Sequence, residues 1–141
     1  MASEFLLDTH VWLWMHQNPD KLSQSVRELL EDRHQALYFS VASVWEIAIK
    51  YELGKLPLPE IPEVYFSHRL YPPNMAITIL PIEFSHVLRA STLPAHHRDP
   101  FDRILIAPAQ LENFTLLTSI ASLRCTTSIY YGPTRPCRLA R

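Results

Sequence analysis

Phe5-Leu6-Leu7-Asp8 constrains the fold more than any other stretch, because an apolar run stops at an acid after three residues. Such a run is too short for a helix and well suited to a buried strand. Residues 36–39, 76–80 and 114–118 are further strand candidates, and helical signals lie between them. Asp8 or Thr9 can cap a helix over residues 10–16, and a second helix with Leu22, Val26, Leu29 and Leu30 follows Pro19. Ser40 or Ser43 can cap a helix that runs to Leu53 and stops at Gly54, with Val44, Ile47, Ala48 and Tyr51 at i, i+3, i+4 and i+7. Trp45 and Ile49 add apolar surface elsewhere on this helix, so it reads as largely buried. Strands alternating with helices predict an α/β fold: a mostly parallel sheet, right-handed crossovers, helices on both faces.

Two segments are less regular. Residues 56–74 hold five prolines, which leaves loop and one short helix near residues 63–70. Residues 82–92 read as a helix and 93–98 as a loop rich in His and Arg; Pro100 then opens a helix behind an Asp99 cap, through Ile104, Leu105 and Ala107. Pro108 falls inside that helix, where it deletes a hydrogen bond and costs about 3 kcal/mol, so a kink or an early end is expected there.

At 141 residues the chain fits one domain, and an apolar content of 48% excludes a disordered chain. No apolar stretch approaches the ~20 residues of a membrane span, and residues 1–8 lack the basic start of a signal peptide, which makes a cytoplasmic location the default. Cys125 and Cys137 have no metal-type spacing. Residues 1–120 carry nine Lys/Arg against fourteen acids, a balance of −5, whereas residues 121–141 carry four Arg and no acid. An acidic body argues against bulk attraction of nucleic acid, so any such contact must be local.

The acids carry the chemistry. Asp8 sits at the carboxyl end of the first strand, where sites form in parallel α/β sheets. Glu46 lies one turn into the helix after the second strand and can lean over the same edge. Asp99 and Asp102, three apart at a helix start, share a face. Gathered carboxylates raise each other's pKa unless a cation neutralises them, and Mg²⁺ or Mn²⁺ is the natural partner for oxygen ligands. Such a cation can activate water against a phosphodiester. Each acid also has a structural reading: Asp8 and Asp99 as helix caps, Asp102 completing a reciprocal capping arrangement, and Glu46 paired with Lys50 at i, i+4. A zinc site of His96, His97 and Asp99 is disfavoured, since adjacent histidines seldom converge on one ion. Trp12, Trp14 and Trp45 read as core or interface residues.

Four segments taken together resemble the successive motifs of VapC-type PIN domains. They are Leu6-Leu7-Asp8-Thr9-His10, Ser43-Val44-Trp45-Glu46-Ile47-Ala48-Ile49-Lys50, His97-Arg98-Asp99-Pro100-Phe101-Asp102-Arg103 and Leu116-Leu117-Thr118-Ser119. The resemblance implies a PIN-like three-layer α/β/α domain over residues 1–119 with a mostly parallel four- or five-stranded sheet. It also implies a magnesium-dependent endoribonuclease, with manganese as the other candidate ion, acting as the toxin of a toxin–antitoxin pair. A small cognate antitoxin, an RNA substrate and a second copy of the chain are the implied partners. Asp8, Glu46 and Asp102 match the family's metal-binding acids, Asp99 an accessory acid, and Thr9 and Ser119 polar positions near the metal. Lys50, His97, Arg98 and Arg103, with His96, flank these acids and are candidates to hold RNA.

The chain departs from the pattern after Ser119. Where the family places another acid it has Ile120, and residues 121–141 lose the resemblance and form an atypical tail. A shifted reading frame or a replaced C-terminus would produce so abrupt a switch. Loss of one carboxylate is expected to weaken catalysis while the fold is retained.

Overall fold

Phe5, Leu6 and Leu7 are all buried, which puts β1 (Glu4–Leu7) inside a sheet with packing on both faces. The computed structural model describes residues 4–71, 77–93, 98–119, 128–131 and 138–139. After β1 come α1 (Thr9–Gln17), a 3-10 turn at Pro19–Lys21, α2 (Gln24–Glu31), β2 (Ala36–Ser40), α3 (Val41–Glu52) and α4 (Pro62–Leu70). Next are β3 (Ile77–Leu80), α5 (Phe84–Ser91), α6 (Pro100–Leu111), β4 (Thr115–Ser119), β5 (Ser128–Tyr131) and β6 (Arg138–Leu139).

The strand order is β3-β2-β1-β4-β5-β6. The first four are parallel: Phe5 pairs in register with Leu37 on one side and Thr115 on the other, and Leu37 with Ile77. β5 and β6 add antiparallel pairings beyond β4. The sheet thus has six strands where four or five are expected, and the additional pair comes from the stretch the sequence reading set aside as a tail.

Alternation along the strands builds two cores. Phe5, Leu7, Leu37, Phe39 and Leu117 face one way and pack with Val11, Trp12, Val26, Ile47, Tyr65 and Phe66 from α1 to α4. Leu6 and Leu116 face the other way, against Leu105, Ile106 and Ala109 of α6. Helices therefore cover both faces, giving three layers. The chain steps outward from β1 to β2 to β3 with crossovers on the first face, then returns past β1 to β4 with α5 and α6 on the second. That reversal opens a crevice at the carboxyl ends of β1 and β4, the position where ligands bind in such sheets.

Local signals place the ends. Ser40 caps α3 by accepting from the Ala42 N–H at 3.1 Å, and Gly54 at φ +68° supplies the left-handed turn after it. Ser43, the other cap candidate, is buried and bonded elsewhere. One expectation fails: helix α3 is not largely buried, since Val41 and Trp45 leave an exposed stripe, with Trp45 62% accessible. Of the kink or early end expected at Pro108, the early end is absent, and α6 runs three residues further, to Leu111. Residues 105–109 are all buried against the second core, and that burial offsets the hydrogen bond proline removes. The Pro108 carbonyl still accepts from the Glu112 N–H at 2.8 Å.

Candidate functional site

Asp8 is the first residue past β1, anchored where its N–H donates to the Leu117 carbonyl at 2.9 Å. Its side chain does two things at once. Oδ1 caps α1 by accepting from the Thr9 N–H at 2.8 Å, and Oδ2 accepts from the Thr118 hydroxyl at 2.8 Å. Each carboxylate oxygen keeps a further lone pair, so capping and cation binding are compatible.

Thr9 links Asp8 to Glu46. Its hydroxyl donates to Glu46 Oε2 at 2.7 Å and lies 3.0 Å from Ser43 Oγ. One hydroxyl has one proton, so Thr9 shares it between the shorter contact to Glu46 and the longer one to Ser43. Glu46 is buried, and its Oε1 accepts from Lys50 Nζ at 2.7 Å across one helical turn. The i, i+4 pair expected from the sequence is present and balances a charge that burial would otherwise penalise.

Asp102 reaches the same neighbourhood from α6. Partial desolvation, and then the negative charges of Asp8, Asp99 and Glu46, push its carboxyl up from 3.8 to about 6. Asp99 is exposed and caps α6 by accepting from the Phe101 N–H at 2.8 Å. His10, exposed beside Asp8 with Nδ1 3.9 Å from Oδ2, has its pKa raised by that carboxylate.

The structure thus brings Asp8, Thr9, Glu46 and Lys50 into one bonded network, with Asp102 in electrostatic reach of it and Asp99 in electrostatic reach of Asp102. Arg103 is placed differently. Its guanidinium donates to the carbonyls of Ala90 at 3.0 Å and Leu93 at 2.9 Å, clasping the C-terminal end of α5. Arg98 is exposed. Ser119 ends β4, while His96, His97 and Ile120 lie outside the described residues. The sequence reading assigned no role to Thr118 or His10. Both were findable in principle, since one ends a strand on the crevice and the other follows Asp8-Thr9.

The donors suit a hard cation. They are carboxylate and hydroxyl oxygens, and Asp102 is raised by burial first and then by the like charges near it. Glu83, His86 and Glu112 form a separate trio whose ligand atoms all lie within 4.8 Å of one another. There the Glu83 N–H donates to His86 Nδ1 at 3.1 Å, which puts the ring proton on Nε2, facing Glu112 Oε1 at 3.2 Å. A neutral ring so held offers no lone pair, so this trio is a clasp between α5 and α6.

Comparison with known proteins agrees with this architecture. Over 58 residues the chain is 40% identical to Ribonuclease VapC16 of Mycobacterium tuberculosis; the match spans 39% of this chain and only 41% of that relative. Similar folds occur in VapBC2 from Rickettsia felis bound to a promoter DNA fragment (TM-score 0.59, 18% identity, 83% of this chain, 88% of that one). They occur also in a toxin–antitoxin complex from Klebsiella pneumoniae (0.54, 16%, 84% and 92%) and in FitAB bound to IR36 DNA (0.54, 19%, 81% and 83%). Among the described residues no helix is long and apolar enough to cross a membrane. The PIN domain pattern itself matches residues 5–119, more than four-fifths of the sequence and every element from β1 through β4, and the chain belongs to the PIN domain family.

Proposed function

We propose that this protein is a divalent-metal-dependent endoribonuclease of the VapC toxin type, hydrolysing RNA phosphodiesters. The observation that carries the reading is Asp102, whose carboxyl is raised to about 6 by burial and by acids from two other segments of the chain. The negative charge that Asp8 and Glu46 place on Asp102 is one a divalent cation can balance, and a cation so held can in turn take a phosphate oxygen. Asp8, Glu46 and Asp102 hold Mg²⁺, or Mn²⁺ in its place, directly or through water, with Asp99 as accessory acid. When bound, the ion supplies Lewis acidity and lowers the pKa of water toward neutrality. The Thr118 and Thr9 hydroxyls fix the Asp8 and Glu46 carboxylates, Ser119 follows Thr118 in sequence, and Lys50 limits repulsion at Glu46. Lys50, Arg98 and His97 are the candidates to meet the RNA backbone, whereas Arg103, on α6, donates to carbonyls at the C-terminal end of α5. Partial protonation of Asp102 near neutral pH makes cation binding compete with a proton.

A small antitoxin is the proposed partner, supported by the toxin–antitoxin complexes of similar fold. Self-association is supported by α5, where Phe84, Val87 and Leu88 repeat at i, i+3, i+4 and stay exposed, Phe84 at 81%. A cytoplasmic location fits such partners.

The test is RNA cleavage by purified protein with Mg²⁺, with EDTA, and with Asp8→Asn. Cleavage that needs the ion and is lost in the variant supports the proposal; cleavage unchanged by Asp8→Asn refutes it. The presence of Ile120 favours a second reading, a catalytically impaired scaffold that retains antitoxin binding or self-association. Activity gained in Ile120→Asp over a weak parent would favour that reading.

A further inference from the structure

Trp45 precedes Glu46 on α3, and Phe101 precedes Asp102 on α6. Their rings meet edge to face with centroids 5.5 Å apart, although they lie far apart in sequence. Trp45 remains 62% accessible. An indole is large and mostly apolar and on average highly buried, yet this one is largely exposed, braced by a second ring and next in sequence to Glu46. Trp12, by contrast, is fully buried.

We infer that Trp45, braced by Phe101, is a stacking shelf for a nucleobase of single-stranded RNA whose phosphate lies over Asp8, Glu46 and Asp102. The inference rests on the ribonuclease reading. Charge is the reason a shelf is needed: residues 1–120 carry fourteen acids against nine Lys/Arg, so attraction of phosphates supplies little affinity. Stacking on an aromatic face is sequence-tolerant, because every base has a π-face, and it adds affinity that does not come from phosphate attraction. Edge-to-face contact with Phe101 leaves indole surface available to a base while restricting its rotamers. A base on α3 holds the strand beside the carboxylates and so contributes to binding.

The experiment uses the full chain with Mg²⁺ and a short single-stranded RNA, intact or carrying one abasic ribose next to the cleaved bond. Trp45→Ala is expected to raise KM about tenfold with kcat nearly unchanged, and Trp45→Phe to keep most of the affinity. The abasic RNA should impose a similar loss on the parent and little further loss on Trp45→Ala. Circular dichroism and light scattering on each variant exclude loss of fold or a change of oligomeric state as the cause. Unchanged KM in Trp45→Ala, additive losses with the abasic RNA, or an effect that follows a change in oligomeric state or antitoxin binding alone would overturn the shelf and leave the ribonuclease reading standing. A parent that cuts no RNA would overturn both.

Discussion

The two ends of α1, less than three turns apart, face opposite chemical worlds. At its start Asp8, Thr9 and His10 belong to a polar network where every buried oxygen is used, and the Asp8 carboxylate raises the pKa of His10. Toward its end Trp12 is fully buried, stacked on Phe39 at 4.3 Å, and His16 sits against it with centroids 4.3 Å apart. There burial, and then the Arg69 cation, push His16 down to about 4. One residue type on one helix is displaced in opposite directions, because His10 meets the Asp8 carboxylate and His16 meets partial burial and a cation. The core end stabilises the helix that the site end uses.

The largest effect expected is at the core end. Trp12→Ala should destabilise the protein by about 3–5 kcal/mol in urea unfolding, through lost burial and the cavity left beside Phe39 and Phe66. A loss below about 1 kcal/mol would mean that the packing is not what holds α1. At the site end the same experiment should look different: Thr118→Val removes the donor to Asp8 Oδ2 and should lower activity or cation affinity about 10- to 100-fold with little change in melting temperature.

Stability against pH sharpens the contrast. His16 is neutral in the fold at pH values where the unfolded chain has begun to protonate. Its contribution is therefore lost as pH falls from about 6.5 to about 4, and is flat on either side. After discounting for partial solvent screening this amounts to about 1–2 kcal/mol. His16→Gln should flatten the curve in that window. Asp102 runs the other way, since a raised carboxyl destabilises the metal-free fold above about pH 6 and is relieved below it. Asp102→Asn should leave the metal-free protein as stable at pH 7 or more stable, by on the order of 1 kcal/mol, while activity falls. Destabilisation by this substitution would show that Asp102 is structural.

The same contrast explains what was legible in the sequence. Signals carried within a few residues were readable: the Leu6-Leu7 run into Asp8, the Asp99-Pro100 helix start, the Gly54 stop, the Glu46–Lys50 pair. Contacts between distant segments were not. Thr118 meets Asp8 across 110 positions, and Arg103 spends its guanidinium on α5 carbonyls, neither of which has a local signature. Propensity misled at Pro108, where burial of five consecutive residues outweighs the missing hydrogen bond. Periodicity misled on α3, where Trp45 is apolar and exposed. Composition gave no warning of β5 and β6, because their pairing partner is β4 and a strand's pairing is not written in its own residues.

A Mn²⁺ titration of the parent, Asp8→Asn, Glu46→Gln and Asp102→Asn at pH 7 is the most direct trial of whether these side chains share one ion. Each substitution should weaken binding by more than about tenfold, and the parent should lose up to about tenfold per pH unit below 6 as a proton competes at Asp102. Equal affinity in the parent and all three variants, or no binding by the parent, would contradict a common cation held by Asp8, Glu46 and Asp102.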